Sequence, residues 1–215
     1  MIVLIAIKVC GIKEENHYEL LAKLNVDWVG LVFYPPSPRY ITPEQASHLP
    51  DFKQQGLQRV GLFVHPDEEE IETVLEKVRL DVLQLYTSLE QACFIRKRFN
   101  IPVWLSKGIK RFSDLPTSCP LDGLVIEAPA SKTDTRPGGN SKQFDWRITQ
   151  SWRAPKPWVL AGGLNCRNVD RAISLSGTRA VDVSSGVENQ LGIKDSQLIQ
   201  NFVTKVRNCN DLNCL

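Results

Sequence analysis

The runs PWVLAGG, residues 157–163, and RAVDVSSG, residues 179–186, decide how this chain folds. Each opens on apolar, β-branched residues and closes on small ones. A short apolar run without in–out alternation fits a strand buried on both faces, the situation of a parallel sheet. The small residues at the ends, Gly162, Gly163, Ser184, Ser185 and Gly186, leave backbone amides bare. Amides of that kind beside a helix start suit an anion, although plain tight turns would use the same residues. Between the two runs, NVDRAISLSG (168–177) spaces its apolar residues as a helix does.

The same alternation extends back to the start of the chain. Six more strand-like runs are IVLIAIKVC (2–10), WVGLVFY (28–34), QRVGLFV (58–64), LDVLQLY (80–86), PVWLSKGI (102–109) and DGLVIEA (122–128). Helical spacing recurs in EENHYELLAKLN (14–25), DEEEIETVLEKVR (67–79), LEQACFIRKRF (89–99) and DSQLIQNFVTKV (195–206), the last with an Asp placed to cap it. A further helix is expected near RFSDLPTSC (111–119). Eight strands alternating with about eight helical segments predict a single-domain (β/α)8 TIM barrel over residues 1–206, followed by a frayed polar tail at 207–215. A doubly wound open sheet is the competing architecture, but it more often stops at five to seven strands. No GxGxxG or GxxxxGK[ST] follows any strand, so dinucleotide and P-loop sites are not expected.

Composition narrows the function classes. The 215 residues are 42% hydrophobic and 23% charged, with a net charge of +2 and interspersed signs. That pattern points away from nucleic-acid and membrane partners. The apolar N-terminal run lacks a basic flank and a cleavage site, so it reads as a strand of a cytoplasmic protein. The six cysteines form no pair with zinc spacing and read as reduced thiols. His17, His48 and His65 all fall outside strand ends, so no metal is expected.

In such a barrel, chemistry sits at the C-terminal ends of the strands. Cys10 ends the first strand, as a small buried hydrophobe or a reactive thiol. Arg39 sits in the proline-rich YPPSPRY (34–40), able to grip a carboxylate or to remain solvated. Glu127 ends the sixth run, as an acid of raised pKa or a salt-bridged carboxylate. Gly162, Gly163, Ser184 and Ser185 follow the seventh and eighth runs, where many barrels hold a substrate phosphate. The long loop APASKTDTRPGGNSKQ (128–143) has the composition of a lid.

These motifs, in this order, resemble the phosphoribosylanthranilate isomerase family of tryptophan biosynthesis. KVCGI (8–12), GLVFYPPSPRYI (30–41), GGNSKQFDW (138–146), LAGGL (160–164) and AVDVSSGVE (180–188) with GIKD (192–195) all match its pattern. The resemblance spans residues 8 to about 206. It implies an Amadori rearrangement of a small phosphorylated sugar–anthranilate substrate, without cofactor or metal, by a monomer or homodimer. It further implies that Cys10 is the general base, whose thiol nearby dipoles or Lys8, two residues away on the same strand face, would depress, and that Arg39 holds the anthranilate carboxylate. Gly162, Gly163, Ser184 and Ser185 would hold the phosphate, and Asp182 would line the sugar subsite. The sequence departs from the family pattern at three places: Glu127 stands for the usual Asp acid, Tyr86 and Thr87 for a His-Gly pair, and Ser141 for a glycine. Those departures leave two alternatives, a same-fold isomerase acting on a related phosphoribosyl aminoaldose and a non-catalytic phospho-sugar-binding barrel.

Overall fold

The computed structural model describes residues 4–131, 136–138, 140 and 142–212. Eight parallel strands close into a barrel in chain order: β1 (Ala6–Cys10), β2 (Trp28–Val32), β3 (Gln58–Val64), β4 (Val82–Tyr86), β5 (Val103–Gly108), β6 (Gly123–Glu127), β7 (Trp158–Leu160) and β8 (Ala180–Val183). Each lies within the apolar run expected for it, and β8 pairs back onto β1. The open-sheet alternative is thereby excluded.

The α-helices described are α1 (Glu15–Lys23), α2 (Pro43–Ser47), α3 (Glu68–Leu75), α4 (Leu89–Phe99), α5 (Val169–Ser176) and α6 (Ser196–Leu212). Their starts follow local chemistry. Asp67 accepts from the Glu70 amide and Ser88 from the Gln91 amide. The amide of Leu198 donates to Asp195 as the sequence suggested. The helix expected near residues 111–119 is only a 3-10 turn at Phe112–Asp114, and the β6–β7 crossover carries another at Trp146–Thr149. Prolines explain both, since Pro116 and Pro120 in one segment and Pro155 and Pro157 in the other remove helical donors.

The tail expected from residue 207 begins inside a helix: α6 continues to Leu212, Arg207 donates to the carbonyls of Ile5 (2.6 Å) and Asn25 (2.7 Å), and Cys209 is buried, while residues 213–215 lie outside the described residues. These contacts hold the helix against the N-terminal end of β1, past residue 206. Cys10, Cys93, Cys119, Cys166 and Cys209 are free thiols, and Cys214 lies outside the described residues.

Two packing regions follow from strand alternation. Odd positions of β1 such as Ile7 and Val9 face outward, joining Tyr18, Leu21, Ile199 and Phe202 beneath the helices. Inward positions fill the barrel bottom with Ala6, Trp28, Trp104, Val125, Val159 and Ala180. There Trp28 and Trp104 meet edge to face, ring centres 5.1 Å apart. A Cβ on Gly123 would come within 2.6 Å of Trp104, so glycine at the start of β6 makes room for the indole. One layer higher the interior turns polar with Lys8, Gln84 and Asp182, all buried. Above them the strands end in Cys10, Tyr86 and Glu127. A third element joins this rim, the small antiparallel ribbon of β9 (Glu188–Gln190) and β10 (Ile193–Lys194).

Candidate active site

A pocket opens at the C-terminal ends of the strands. Its lining includes all eight residues singled out from the sequence: Cys10, Arg39, Glu127, Gly162, Gly163, Asp182, Ser184 and Ser185. Tyr86, Arg136, Pro137 and Gly138 also line it. Much of the loop expected as a lid, residues 132–135, 139 and Ser141, lies outside the described residues.

Strand register brings Cys10 beside Gly30. A Cβ on Gly30 would sit 2.7 Å from the Cys10 Sγ, so the bare glycine is what gives the thiol its place. The expected depression of the thiol by Lys8 is not what the environment produces. Burial pushes the Cys10 thiol up, and Lys8 and Lys194 pull it back only in part. Burial dominates, and the Asp182 carboxylate adds to it. Lys8 lies opposite Asp182 in the β1–β8 register, and its Nζ donates to both carboxylate oxygens at 3.1 Å. Burial works against the Lys8 charge, but Asp182 outweighs it and holds the ammonium above its ordinary pKa. Asp182 thus lines the pocket with its carboxylate already engaged.

Arg39 is anchored rather than solvated. Its Nε and Nη2 donate to Glu188 Oε1 (2.7 Å) and Oε2 (2.9 Å), and only 4% of the residue is exposed. Glu188 also accepts from Lys194 Nζ at 2.7 Å and from the Gly192 amide at 3.1 Å. Despite burial, these cations hold the Glu188 carboxyl at about 2. Lys194 continues inward, donating to the Ser184 carbonyl (2.9 Å) and to its Oγ (3.2 Å). The Ser184 hydroxyl in turn donates to the Cys10 carbonyl at 2.9 Å. One chain of contacts therefore runs from the Arg39 guanidinium to the backbone of Cys10.

The loop after β7 holds Gly162 and Gly163 at φ +91° and +66°, a region that side chains rarely adopt. The Gly163 carbonyl is pinned by Asn168 Nδ2 at 2.9 Å, which leaves a rigid, side-chain-free rim. Gly162 packs against Glu127, where an added Cβ would be 3.4 Å from the Glu127 Cβ. Glu127 itself is 4% exposed. Its carboxyl meets the hydroxyl of Tyr86, and burial followed by that carboxylate drives the Tyr86 phenol well above its ordinary pKa.

Lys194, Glu188 and Arg136 were not singled out as site residues from the sequence. The lysine and glutamate reach the pocket only because the β9–β10 ribbon folds back over β8, and neither GVEN nor GIKD carries a periodicity that signals this. Among the described residues no group of three or more His, Cys, Asp and Glu side chains could hold a metal ion. No helix among them is long and apolar enough to cross a membrane.

With that geometry in place, the chain can be set beside known proteins. A sequence profile described as N-(5'phosphoribosyl)anthranilate (PRA) isomerase matches residues 7–205. The N-(5'-phosphoribosyl)anthranilate isomerase of Paramagnetospirillum magneticum is 42% identical over 209 residues, covering 94% of this chain and 97% of that one. The crystal structure of phosphoribosyl anthranilate isomerase from Thermotoga maritima superposes with a TM-score of 0.78 at 32% identity, covering 95% and 100% of the two chains. A phosphoribosyl anthranilate isomerase in complex with reduced 1-(o-carboxyphenylamino)-1-deoxyribulose 5-phosphate gives 0.76 at 31% identity with the same coverage.

Proposed function

The chain belongs to the N-(5'-phosphoribosyl)anthranilate isomerase family, and from that premise we propose how its pocket divides the labour of the Amadori rearrangement that it catalyses. The observation that carries the assignment is the convergence on one pocket of a strand-end thiol, a strand-end carboxyl and a side-chain-free rim.

Glu127, as the acid, gives its proton to the furanose ring oxygen of the substrate. The C1′–O bond breaks, and the anthranilate nitrogen lone pair forms the C1′=N Schiff base. Cys10, as thiolate, then removes the C2′ proton, and the electron pair shifts to give the enolamine. In the ketonisation, the proton taken up by Cys10 is delivered to C1′ while the 2′-hydroxyl loses its proton to the Glu127 carboxylate, which yields the aminoketone product and restores both groups. The burial that raises the Cys10 pKa also makes its thiolate a stronger base toward a C–H bond. The cost is that less thiolate is present near neutral pH.

Arg39, its plane fixed by Glu188, offers the guanidinium for the anthranilate carboxylate. Gly162, Gly163, Ser184 and Ser185 take the phosphate at the rim, with the buried Lys194 charge beneath Ser184. Asp182, tied to Lys8, borders the sugar. The same reading makes the enzyme cytoplasmic, a monomer or homodimer whose partner is its small phosphorylated substrate.

The test is steady-state turnover of substrate generated in situ. Cys10→Ser and Glu127→Gln are each expected to lower kcat by roughly 10²- to 10⁴-fold, the usual worth of a positioned acid or base. Retention of kcat by either variant would remove that residue from its role.

A further inference from the structure

Glu127 and Tyr86 end β6 and β4, two strands with β5 between them. Neighbouring strands lie about 4.8 Å apart, so the two backbones are separated by roughly 10 Å. Between them β5 presents Ser106 and, beside Glu127 in register, the bare Gly108. Two long side chains can meet across that gap, and here the Tyr86 phenol faces the Glu127 carboxyl, with Ser106 beside it.

The direction of donation among these groups is fixed by the donors available. Gln84 Nε2, which can only donate, gives its hydrogen to Ser106 Oγ at 3.0 Å. The Ser106 hydrogen is then left for the Tyr86 oxygen, and the Tyr86 hydrogen for the carboxylate. Overhead, Gly138 of the long β6–β7 loop closes on the phenol, where an added Cβ would come within 2.3 Å of Tyr86 Oη. The hydroxyl is held from below by a buried relay and covered from above by backbone.

We infer that Tyr86 is a positioning residue for Glu127, and that Tyr86 and Glu127 form a matched pair in which the phenol holds the longer carboxyl at the ring oxygen. An Asp at position 127 would stop short of the phenol. This inference rests on Glu127 being the acid, and it names what keeps a glutamate in register for that task.

The experiment is a double-mutant cycle of Tyr86→Phe with Glu127→Asp, reading kcat and KM separately, with Glu127→Gln alongside. Tyr86→Phe keeps the ring and its packing and removes the phenol hydroxyl that faces the Glu127 carboxyl. It is expected to lower kcat by roughly 10- to 100-fold with KM within about twofold. In the Glu127→Asp background the same change is expected to cost less than about threefold, because the shorter carboxyl already stops short of the phenol. Ser106→Ala, which releases the phenol without touching the pair, is expected to lower kcat by a smaller factor in the native background only. An equal loss in both Glu127 backgrounds, or a rise in KM at constant kcat, overturns the positioning role while leaving the acid in place. Full kcat in Glu127→Gln overturns the acid assignment and the positioning role with it.

Discussion

Gly30→Ala tests whether the place of Cys10 is what matters at this pocket. The β conformation of Gly30 suits alanine, so the change adds a methyl group and little else. That methyl would stand 2.7 Å from the Cys10 Sγ and 2.9 Å from its Cα. Ordinary carbon contacts lie near 3.5–4.0 Å, so the shortfall is roughly 1 Å. The thiol can swing away, but the Cα belongs to β1 and is locked by parallel ladders on both sides. The base is therefore displaced by a good fraction of an ångström. A shift of about 1 Å in a catalytic group can cost on the order of 10²-fold in rate. Overpacking also costs about 1–3 kcal/mol, or roughly 2–4 °C of Tm per kcal/mol in a domain of this size. Gly123→Ala is the matched control, since its methyl would crowd Trp104 to 2.6 Å at the other end of the barrel. Both variants are expected to lose comparable stability in thermal unfolding, while only Gly30→Ala loses kcat, by about 10- to 100-fold. If Gly30→Ala unfolds earlier yet turns over like the native chain, the placement of Cys10 is not critical and the reasoning from its register partner fails.

Two further outcomes follow from the charges around the pocket. Glu188→Gln leaves Arg39 and Lys194 buried around a neutral amide, so about 3–5 kcal/mol of stability is expected to go, with a raised KM as Arg39 loses its anchor. Because the folded Glu188 pKa is depressed to about 2, the stability gap between native and variant chains should be complete above about pH 4.5 and shrink as pH falls toward 2. A gap independent of pH in calorimetry would contradict this. For Cys10 the active form is deprotonated and its pKa is raised, so kcat/KM should climb from about pH 7 to beyond about pH 9, in parallel with the rate of inactivation by iodoacetamide. A flat profile over that interval would show that Cys10 is not the titrating base.

The barrel could be read from the sequence because buried parallel strands and their helices carry different periods, and because the strand ends bear the chemistry. Cys10, Glu127 and Gly162 were visible on that ground alone, whereas Asp182 came only from the family resemblance. The missing helices of the fifth and sixth crossovers were not, since prolines there override the apolar count. The state of the Cys10 thiol was misjudged for a related reason. Two residues apart on a strand gives proximity to Lys8, but the burial that outweighs it, and the Asp182 carboxylate 174 positions from Lys8 that adds to that burial, are found only when the barrel closes β8 on β1. Glu188 and Lys194 escaped in the same way, brought to Arg39 by a ribbon whose five residues have no pattern of their own.

The paired indoles at the base of the barrel bear on how its assembly can be followed. Trp28 belongs to β2 and Trp104 to β5, strands that are not neighbours, so the two rings meet only across the enclosed interior. Fixed in this chiral enclosure, the two indoles should contribute near-ultraviolet circular dichroism bands that appear only once the sheet has come full circle, a contribution isolated by comparison with Trp28→Phe. A partly assembled chain with its helices formed would keep its far-ultraviolet spectrum and lack those bands. Since the indoles sit at the end remote from the pocket, ligand absorbance changes need not obscure them. The molecule thus carries its own optical gauge of ring closure, separable in a stopped-flow trace from the formation of secondary structure.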